Sequence, residues 1–476
     1  MANDVVCLKK LKSLREKIDW KVEEDRRKFL RQVGALITCW QGHYPNLRDI
    51  FAEYEIKNLL VETVIGAYRD QTYYHRMQII EFIVHSNYRD KPVVDTEGKP
   101  ILRRTTPIHL ADKRNKPFEC RLLIYKLFKI YDRFDVNYTD EYGLSHFHIA
   151  CKFGLYEVVQ KFLEAGQDPK CLVQITADTP LHLALTSRHK SVTELLLRSG
   201  TNSSVANAEG LTPLHIICKS YYDDKFAKIL FEISDELNQL VLIQDRWGRT
   251  PLQWAVANLQ PKTVDILLDH GADLKSFVFP TVSNFAERFK SRGKISLNFT
   301  LRLCVSPSVR LAETKTGALA VVERLEKRDY ELERRDVITI MTFFADCGLF
   351  DKSRGVEKCW YNDEEFARKS EKLMICSDLS IHDFLRLPPK RAEKRLTYGD
   401  YFRLAGRIDF WKLPEGPREA CLAHLCEMIS RGFFRRWALD SLLKLTRYQL
   451  PILCCELIIE KLMNEDLCRI CLAATD

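Results

Sequence analysis

The sequence lacks the local motifs that identify most enzymes. It contains no Gly-x-Ser-x-Gly nucleophile elbow, no glycine-rich phosphate-binding loop and no His-Glu-x-x-His metal motif. None of its 16 cysteines stands with a histidine in a pattern typical of a catalytic nucleophile. These absences favour a non-catalytic protein that works without a cofactor or a metal ion.

Long apolar runs are also missing. No segment approaches the ~18 apolar residues of a membrane span, and the opening MANDVVCLKK has no apolar core of a signal peptide. We therefore expect a soluble, cytoplasmic protein without a membrane partner. The sequence leaves entry into the nucleus open.

Neither charge nor cysteine spacing defines a special class. The 73 basic and 65 acidic residues give a net charge of +8, which is spread along the chain and does not imply a nucleic acid partner. No two Cys-x-x-Cys units flank a loop with zinc-finger spacing. The cysteines sit inside apolar helical segments, so we expect reduced core thiols, for example at Cys151, Cys218, Cys347 and Cys421.

A short motif recurs in the first half of the chain. A threonine or serine is followed three residues later by a histidine, or by Gln253 in the last copy, and the successive intervals are 39, 34, 33 and 38 residues. The copies begin at Thr106, Ser145, Thr179, Thr212 and Thr250. This spacing resembles the ankyrin repeat.

The residue types in the motif predict a turn followed by a helix. Threonine caps a helix and the proline after it fits the first helical position. Glycine stands two residues before the capping serine or threonine in three copies, at Gly143, Gly210 and Gly248. A tight turn needs a positive φ at this position. The third copy has Ala177 in this place, so we expect a distorted turn there.

The recurring histidines, namely His109, His148, His182 and His215, are interpreted as structural. A residue repeated once per unit is expected to hydrogen-bond between neighbouring turns. No histidine is therefore proposed as a catalytic base.

The motif predicts an all-α protein in which helix pairs stack into a solenoid. We expect an ankyrin-repeat solenoid of about five to six repeats, the first degenerate, then a helical connector and a small C-terminal helical domain. The predicted bounds are 1–49 for an N-terminal helical cap, 50–275 for the repeats, 276–385 for the connector and 386–476 for the C-terminal domain.

The segment Leu450 to Leu467 predicts a short amphipathic helix, a turn and the start of a second helix. Pro451 stands in the first turn, and Asn464 is expected to cap the second helix. This segment is too small to fold alone. Its apolar side must be covered by upstream helices or by another protein.

This tail resembles an F-box, in which Leu-Pro is followed by apolar residues at helical spacing and then by Asp-Leu. Ankyrin repeats with such a shortened tail resemble the PRANC-tailed ankyrin proteins of poxviruses and insects, parasitoid wasps among them. The resemblance implies docking onto the Skp-type adaptor of a cullin–RING ubiquitin ligase. The implied contacts are Leu450, Pro451, Ile458, Leu462, Asp466 and Leu467.

A client protein is expected to bind the turns and inner helices of the repeats. The candidate contacts are large and expected to be exposed: Glu141, Tyr142, Glu209, Arg246, Trp247 and Trp254. For Trp254, packing between repeats is an equal alternative. A second hypothesis for the whole chain is an ankyrin scaffold or decoy that sequesters a signalling protein, such as a Rel-type transcription factor, without ubiquitination.

The basic run at residues 388–395 has three interpretations. Clustered cations suit a nuclear import signal or a phosphate contact. A solvated junction between packed units explains them as well.

Overall fold

The computed structural model describes residues 2–38, 40, 42, 44–65, 73–114, 117–220, 224–234, 237–285, 307–346, 350, 363–387, 391, 395–398, 400, 404 and 408–474. Cys347 and six residues of the basic run, 388–390 and 392–394, lie outside these ranges. The chain divides into two compact units, one of 1–217 with 229–235 and one of 218–228 with 236–476. The bounds predicted for the four segments stay a prediction.

The first unit consists of helices and short turns. Its helices are α1 Ala2–Glu16, α2 Glu23–Ile37, α3 Glu53–Ile65, α4 Tyr73–His85, α5 Pro107–Asp112, α6 Pro117–Leu127, α7 His146–Lys152, α8 Tyr156–Glu164, α9 Pro180–Thr186 and α10 Lys190–Arg198. Helices α11 Pro213–Lys219 and α12 Lys225–Ile233 run across the division between the units.

The repeat motif produces pairs of consecutive helices that pack on each other. Ser145 and Thr179 cap α7 and α9, because each side-chain oxygen accepts the amide of the third helical residue. The second helix of a pair carries an apolar stripe, as in α8, where Val158, Val159 and Phe162 are buried. Helix α7 packs on α5 and on α9, so each pair covers the apolar face of its neighbour.

The histidines of the motif form hydrogen bonds between consecutive turns, which confirms their predicted role. Each Nδ1 accepts the amide of the capping residue, for example Thr106 N to His109 Nδ1 at 3.0 Å. The Nε2 atoms of His109, His148 and His182 lie 3.0, 3.2 and 2.9 Å from carbonyl oxygens of the following turn. Because Nδ1 accepts an amide proton, the ring is neutral and Nε2 donates.

The turn that carries Ala177 is distorted, as its sequence predicted. Gly143, Gly210 and Gly248 have φ angles of 77°, 75° and 75°, and their amides bond to a carbonyl three residues earlier. Ala177 has the same left-handed conformation, with φ of 52°, but its amide bonds to Val173 four residues earlier. This turn is therefore one residue longer than the others.

The second unit is also mainly helical. Its helices are α13 Leu237–Leu240, α14 Pro251–Ala257, α15 Pro261–Asp269, α16 Pro307–Glu326, α17 Arg334–Asp346, α18 Glu364–Glu371, α19 Ile381–Leu385, α20 Glu415–Leu445, α21 Ile452–Lys461 and α22 Asn464–Ala473. Helix α20 is central, because α16, α21 and α22 all pack on it.

One element corrects the all-α prediction. Met374–Cys376 and Leu379–Ser380 form a two-stranded antiparallel hairpin before α19. Its strands are too short for a period-two pattern to be detected in the sequence. Asp378 in the turn accepts from the Cys376 thiol and from Arg395, which holds the hairpin closed.

The predicted core thiols are confirmed at three of the four positions named above, whereas Cys454 is exposed and Cys171 and Cys376 are half-buried. Cys151, Cys218 and Cys421 are buried and unbridged. Burial raises the pKa of the Cys468 thiol to about 12 and that of Cys471 to about 11, so both stay protonated at neutral pH. Over the described residues, no helix is both long and apolar enough to cross a membrane.

Acid should destabilise the first unit. Burial lowers the pKa of His148 and of His189 to about 4, from about 6.5 in an unfolded chain. The unfolded chain therefore binds more protons in this window, and stability is full above pH 6.5 and falls as the pH drops towards 4. Thermal unfolding followed by circular dichroism should show a midpoint temperature that decreases as the pH is lowered from 6.5 towards 4.

Gln253 suggests the control for this experiment, because it makes the same two hydrogen bonds as the histidines without a titrating ring. His148→Gln should retain folding and weaken the pH dependence. An unchanged dependence in this variant would contradict the assignment.

Two substitutions in the turns should have opposite effects. Ala177→Gly should raise the free energy of unfolding by roughly 0.5–1 kcal/mol, because glycine adopts a positive φ without a Cβ contact. Gly143→Ala should lower it by ~1 kcal/mol or more, since its Cβ would lie 2.5 Å from Cγ of Gln174. Denaturant titration measures both, and a stabilising Gly143→Ala would refute the explanation.

Candidate functional site

The turns between repeats expose the side chains that sequence analysis assigned to client binding in the first unit. Asp140 builds the turn that holds Glu141 and Tyr142, because its Oδ1 accepts the amides of Tyr142 at 3.0 Å and Leu144 at 2.9 Å. Lys113 lies 3.6 Å from the Glu141 carboxylate and 5.2 Å from the Tyr142 ring centroid. Tyr142 is therefore exposed but held in position.

Glu209 is also exposed at a turn of this unit. Its amide bonds to Oδ1 of Asn207 at 3.0 Å, so asparagine takes the structural place that Asp140 occupies in the earlier turn. The client-binding role of Glu141, Tyr142 and Glu209 stays a prediction.

Two apolar residues near the distorted turn are exposed and were not among the predicted contacts. Ile175 is 63% exposed and Leu172 is 47% exposed. The signal was present in the sequence, because this turn lacks the Asp-x-x-Gly frame and carries apolar residues instead.

In the second unit, the turn before α14 presents an indole ring under two guanidinium groups. Trp247 is 50% exposed, and the guanidinium carbons of Arg246 and Arg249 lie 4.7 and 4.6 Å from its ring centroid. Asp245 fixes this turn through Oδ1, which accepts the amides of Trp247 and Arg249 at 2.9 Å each.

Asp245 is buried beneath the turn. Burial alone would raise the pKa of its carboxyl group. The hydrogen bonds from Arg249 and from the indole of Trp254 outweigh burial and hold this pKa below its usual range. The carboxylate is therefore charged at neutral pH and is fully engaged within the turn.

The structure corrects the assignment of Trp254 as a client contact. Trp254 is only 6% exposed, and its Nε1 donates to Oδ2 of Asp245 at 2.9 Å. The Arg249 guanidinium carbon lies 3.9 Å from its ring centroid. Packing, the alternative considered for Trp254, is what the structure shows, so this residue positions the turn.

The tail helix α21 exposes apolar side chains to solvent. Leu453 and Leu457 are 72% and 61% exposed, and Leu450, Ile452 and Ile458 are also exposed. Cys455 and Ile459 are the buried residues of this helix. Leu453 and Leu457 are displaced from them by two positions, or about 200° around the helix. The exposed apolar face is thus opposite the buried one.

Polar contacts fasten the end of α21 to α20. The Arg431 guanidinium donates to the carbonyl oxygens of Leu462 and Glu460, each at 2.9 Å. These carbonyls end a helix and have no partner within it, so a cation there satisfies them and complements the helix dipole.

Asn464 has a different role from the predicted cap. Met463 occupies the N-cap of α22, and Asn464 Nδ2 instead donates to the Glu427 carbonyl at 2.8 Å and to Ser430 Oγ at 2.9 Å. Asn464 is fully buried. It therefore links the turn between α21 and α22 to α20.

The remaining residues of the predicted adaptor contact divide into exposed and buried ones. Leu450 and Pro451 are exposed, and Leu462 is half-buried. Asp466 is half-buried and accepts the Met463 amide at 3.3 Å, so it caps α22. Leu467 is 0% exposed because α22 packs on α17 and α20, so it is not part of the exposed surface.

Family comparisons identify the repeats. Residues 131–184 match a model of ankyrin repeats in many copies, and residues 181–277 match a model of ankyrin repeats in three copies. This chain therefore contains ankyrin repeats, and such repeats mediate protein–protein interaction. Among the described residues, no group of three or more His, Cys, Asp or Glu is arranged to hold a metal ion.

Several curated proteins are similar to part of this chain. The mouse homolog of B-cell lymphoma 3 protein is 30% identical over 200 residues, which cover 41% of this chain and 43% of that protein. An ankyrin repeat protein of fowlpox virus is 26% identical over a region that makes up 36% of this chain and 48% of the viral protein. The phosphocholine transferase AnkX of Legionella pneumophila is 27% identical over a region that makes up 38% of this chain and 18% of AnkX. The matched region spans less than half the length of each relative.

Asn464→Ala should loosen the tail. The substitution removes the two buried hydrogen bonds from Asn464 to Glu427 and Ser430, which costs about 1–3 kcal/mol. Limited proteolysis should cut the tail faster in this variant, and thermal unfolding should begin earlier. Glu456→Ala, an exposed change on α21, is the matched control and should behave as the unaltered chain. Equal proteolysis rates for both variants would show that Asn464 does not fasten the tail.

Proposed function

We propose that this protein is a non-catalytic substrate receptor, which docks onto the Skp-type adaptor of a cullin–RING ubiquitin ligase and holds a client protein. The exposed apolar face of α21 would bind the adaptor. The ankyrin repeats would bind the client. Ubiquitin transfer would be accelerated because the client is held near the ligase.

The observation that carries the proposal is the orientation of α21. A surface helix normally turns its apolar side towards the core. Helix α21 instead uses only Cys455 and Ile459 for its own packing and presents Leu453 and Leu457 to water. Full burial of a leucine contributes roughly 1.5–3 kcal/mol, so a partner groove that covers this face would gain substantial binding energy.

The exposed face extends beyond the F-box-like positions. Leu450, Pro451 and Ile458 belong to the pattern, and Ile452, Leu453 and Leu457 enlarge the surface. Leu445 and Tyr448, just before the tail helix, are exposed as well. Together these residues suit helix-in-groove recognition by another protein. Leu467 supports the surface from within the core.

The client-binding half of the proposal is supported by the ankyrin repeats and by their exposed turn residues. Tyr142 and Ile175 in the first unit, and Trp247 in the second, are large side chains on fixed turns. Such anchors supply most of the energy of protein interfaces. A scaffold that sequesters its client without ubiquitination would use the same repeats, and it differs only in having no adaptor contact.

Charge placed on the exposed face should abolish adaptor binding. The double variant Leu453→Asp, Leu457→Asp should retain a purified Skp-type adaptor at least tenfold less tightly, because two carboxylates cannot enter an apolar groove without a large desolvation penalty. Pull-down and calorimetry with the full chain measure this difference. Glu456→Gln, on the same helix, should bind as the unaltered chain does.

The same measurement separates the two functions. Equal adaptor binding by all three chains, or no binding by any of them, would refute the receptor function and favour the scaffold. Circular dichroism should show unchanged helicity in the variants, because every substituted side chain lies in solvent.

A further inference from the structure

A short hairpin precedes α5 in the first unit, and we term its residues 91–103 the edge hairpin. Val94 and Pro100 face each other in an antiparallel bridge, and the Ile101 amide donates to the Val93 carbonyl oxygen at 2.8 Å. The hairpin lies before the region that the family models match. None of the residues expected to bind a client belongs to it.

The edge hairpin exposes apolar side chains on both of its faces. Val93 and Val94 are 49% and 54% exposed, and Ile101 and Leu102 are 43% exposed each. Successive side chains of a strand point to opposite faces, so Val93 and Ile101 share one face while Val94 and Leu102 share the other. Four large apolar side chains that cluster in solvent are typical of a contact surface for another molecule.

The outer strand of the hairpin has an open backbone edge. The hydrogen bonds of the bridge flank Val94, so its own N–H and C=O point away from Pro100. Neither group bonds to any residue that the structure describes. Pro92, the next residue on this edge, offers a carbonyl oxygen as well. Such an edge can pair with a strand supplied by another chain.

Backbone hydrogen bonds hold the edge hairpin in place. On its inner side the Thr139 amide donates to the Leu102 carbonyl at 2.9 Å, and the Arg104 amide donates to the Thr139 carbonyl at 2.8 Å. At its tip, Oδ1 of Asp95 accepts the Glu97 amide at 2.9 Å. The open edge is therefore positioned before any ligand binds, which lowers the entropic cost of binding.

The charges of the edge hairpin favour a partner that carries a carboxylate. Lys91 and Arg103 are exposed at its open end, and neither forms an ion pair within the described part of the chain. Its own acidic residues are engaged at the tip, where Asp95 accepts amides of the turn and Glu97 lies 3.0 Å from Lys99. A second copy of this chain would bring the same two cations and no free carboxylate from its own hairpin, so it fits this edge less well.

We propose that the edge hairpin binds an extended apolar segment of the client protein with a carboxylate beside its apolar residues. This inference rests on the proposed client-binding function and names the chemistry of the partner. The segment adds a strand that exchanges hydrogen bonds with the N–H and C=O of Val94. Its apolar side chains cover the two exposed pairs, and its carboxylate pairs with Lys91.

Fluorescence anisotropy with the full chain tests the proposal. The probe is a labelled peptide of alternating valine and threonine with two glutamates at one end. One comparison peptide has glutamine in place of glutamate, and another has N-methyl groups on its three central amides. We expect the probe to bind at least tenfold more tightly than either, because the first lacks the ion pair and the second lacks the backbone donors. Lys91→Gln combined with Arg103→Gln should weaken binding of the probe tenfold and leave binding of the glutamine peptide unchanged.

A second variant tests the apolar faces. Val93→Ser combined with Ile101→Ser should weaken binding of the probe at least tenfold, since the apolar cover of the added strand is lost. Val5→Ser combined with Val6→Ser is the matched control, because these valines of α1 belong to the same unit and are 54% and 49% exposed. The control should bind the probe as the unaltered chain does.

Three results would overturn the proposal: equal binding of the three peptides, no binding of the probe, or an equal loss in the control. Sedimentation velocity adds a fourth, because a dimer of the unaltered chain that Val93→Ser and Ile101→Ser dissociate would assign the edge to a second copy. Failure at the edge hairpin would not affect adaptor binding by α21, which is measured with a different probe and different variants.

Discussion

A hydrogen-bonded side chain that bridges consecutive repeats is the interaction on which the ankyrin region depends. In each histidine-bearing turn, Nδ1 accepts the amide that begins a helix, and in His109, His148 and His182 Nε2 lies within reach of a carbonyl of the next turn. The side chain thus satisfies two buried backbone groups at once. Because the bridge recurs within the first unit, each of these three histidines ties its own turn to the next turn of that unit.

Gln253 shows what this bridge requires. Its Oε1 accepts the Thr250 amide at 2.8 Å, and its Nε2 donates to the Val278 carbonyl at 2.9 Å. The glutamine side chain therefore bridges two turns as the histidines do. Its amide supplies one acceptor and one donor, and it does not titrate. The histidines act in the same way, as neutral rings, and burial lowers the pKa of His109 and His182 in keeping with that state.

The second unit solves a different physical problem, which is how to hold a helix whose apolar side faces solvent. Cys455 and Ile459 are the two buried residues of α21, so its apolar contact with the rest of the unit is small. Arg431 and Asn464 supplement it with hydrogen bonds from α20 to the end of α21 and to the turn that follows. Polar groups thus fix the helix in place, and its leucines stay available for a partner.

The sequence by itself determined the repeats, because capping residues, turn glycines and bridging histidines act locally and recur at similar intervals of 33 to 39 residues. It also predicted the distorted turn at Ala177, where glycine is missing and the turn is one residue longer although φ stays positive. The tertiary structure decided which residues of the candidate sites face solvent. Leu467 is buried by helices distant in the chain, Trp254 packs against Asp245 and Arg249 of the preceding turn, and Asn464 bonds to α20 instead of capping its own helix. Helical periodicity shows that apolar residues share a side, but only the packing of other elements shows whether that side is covered.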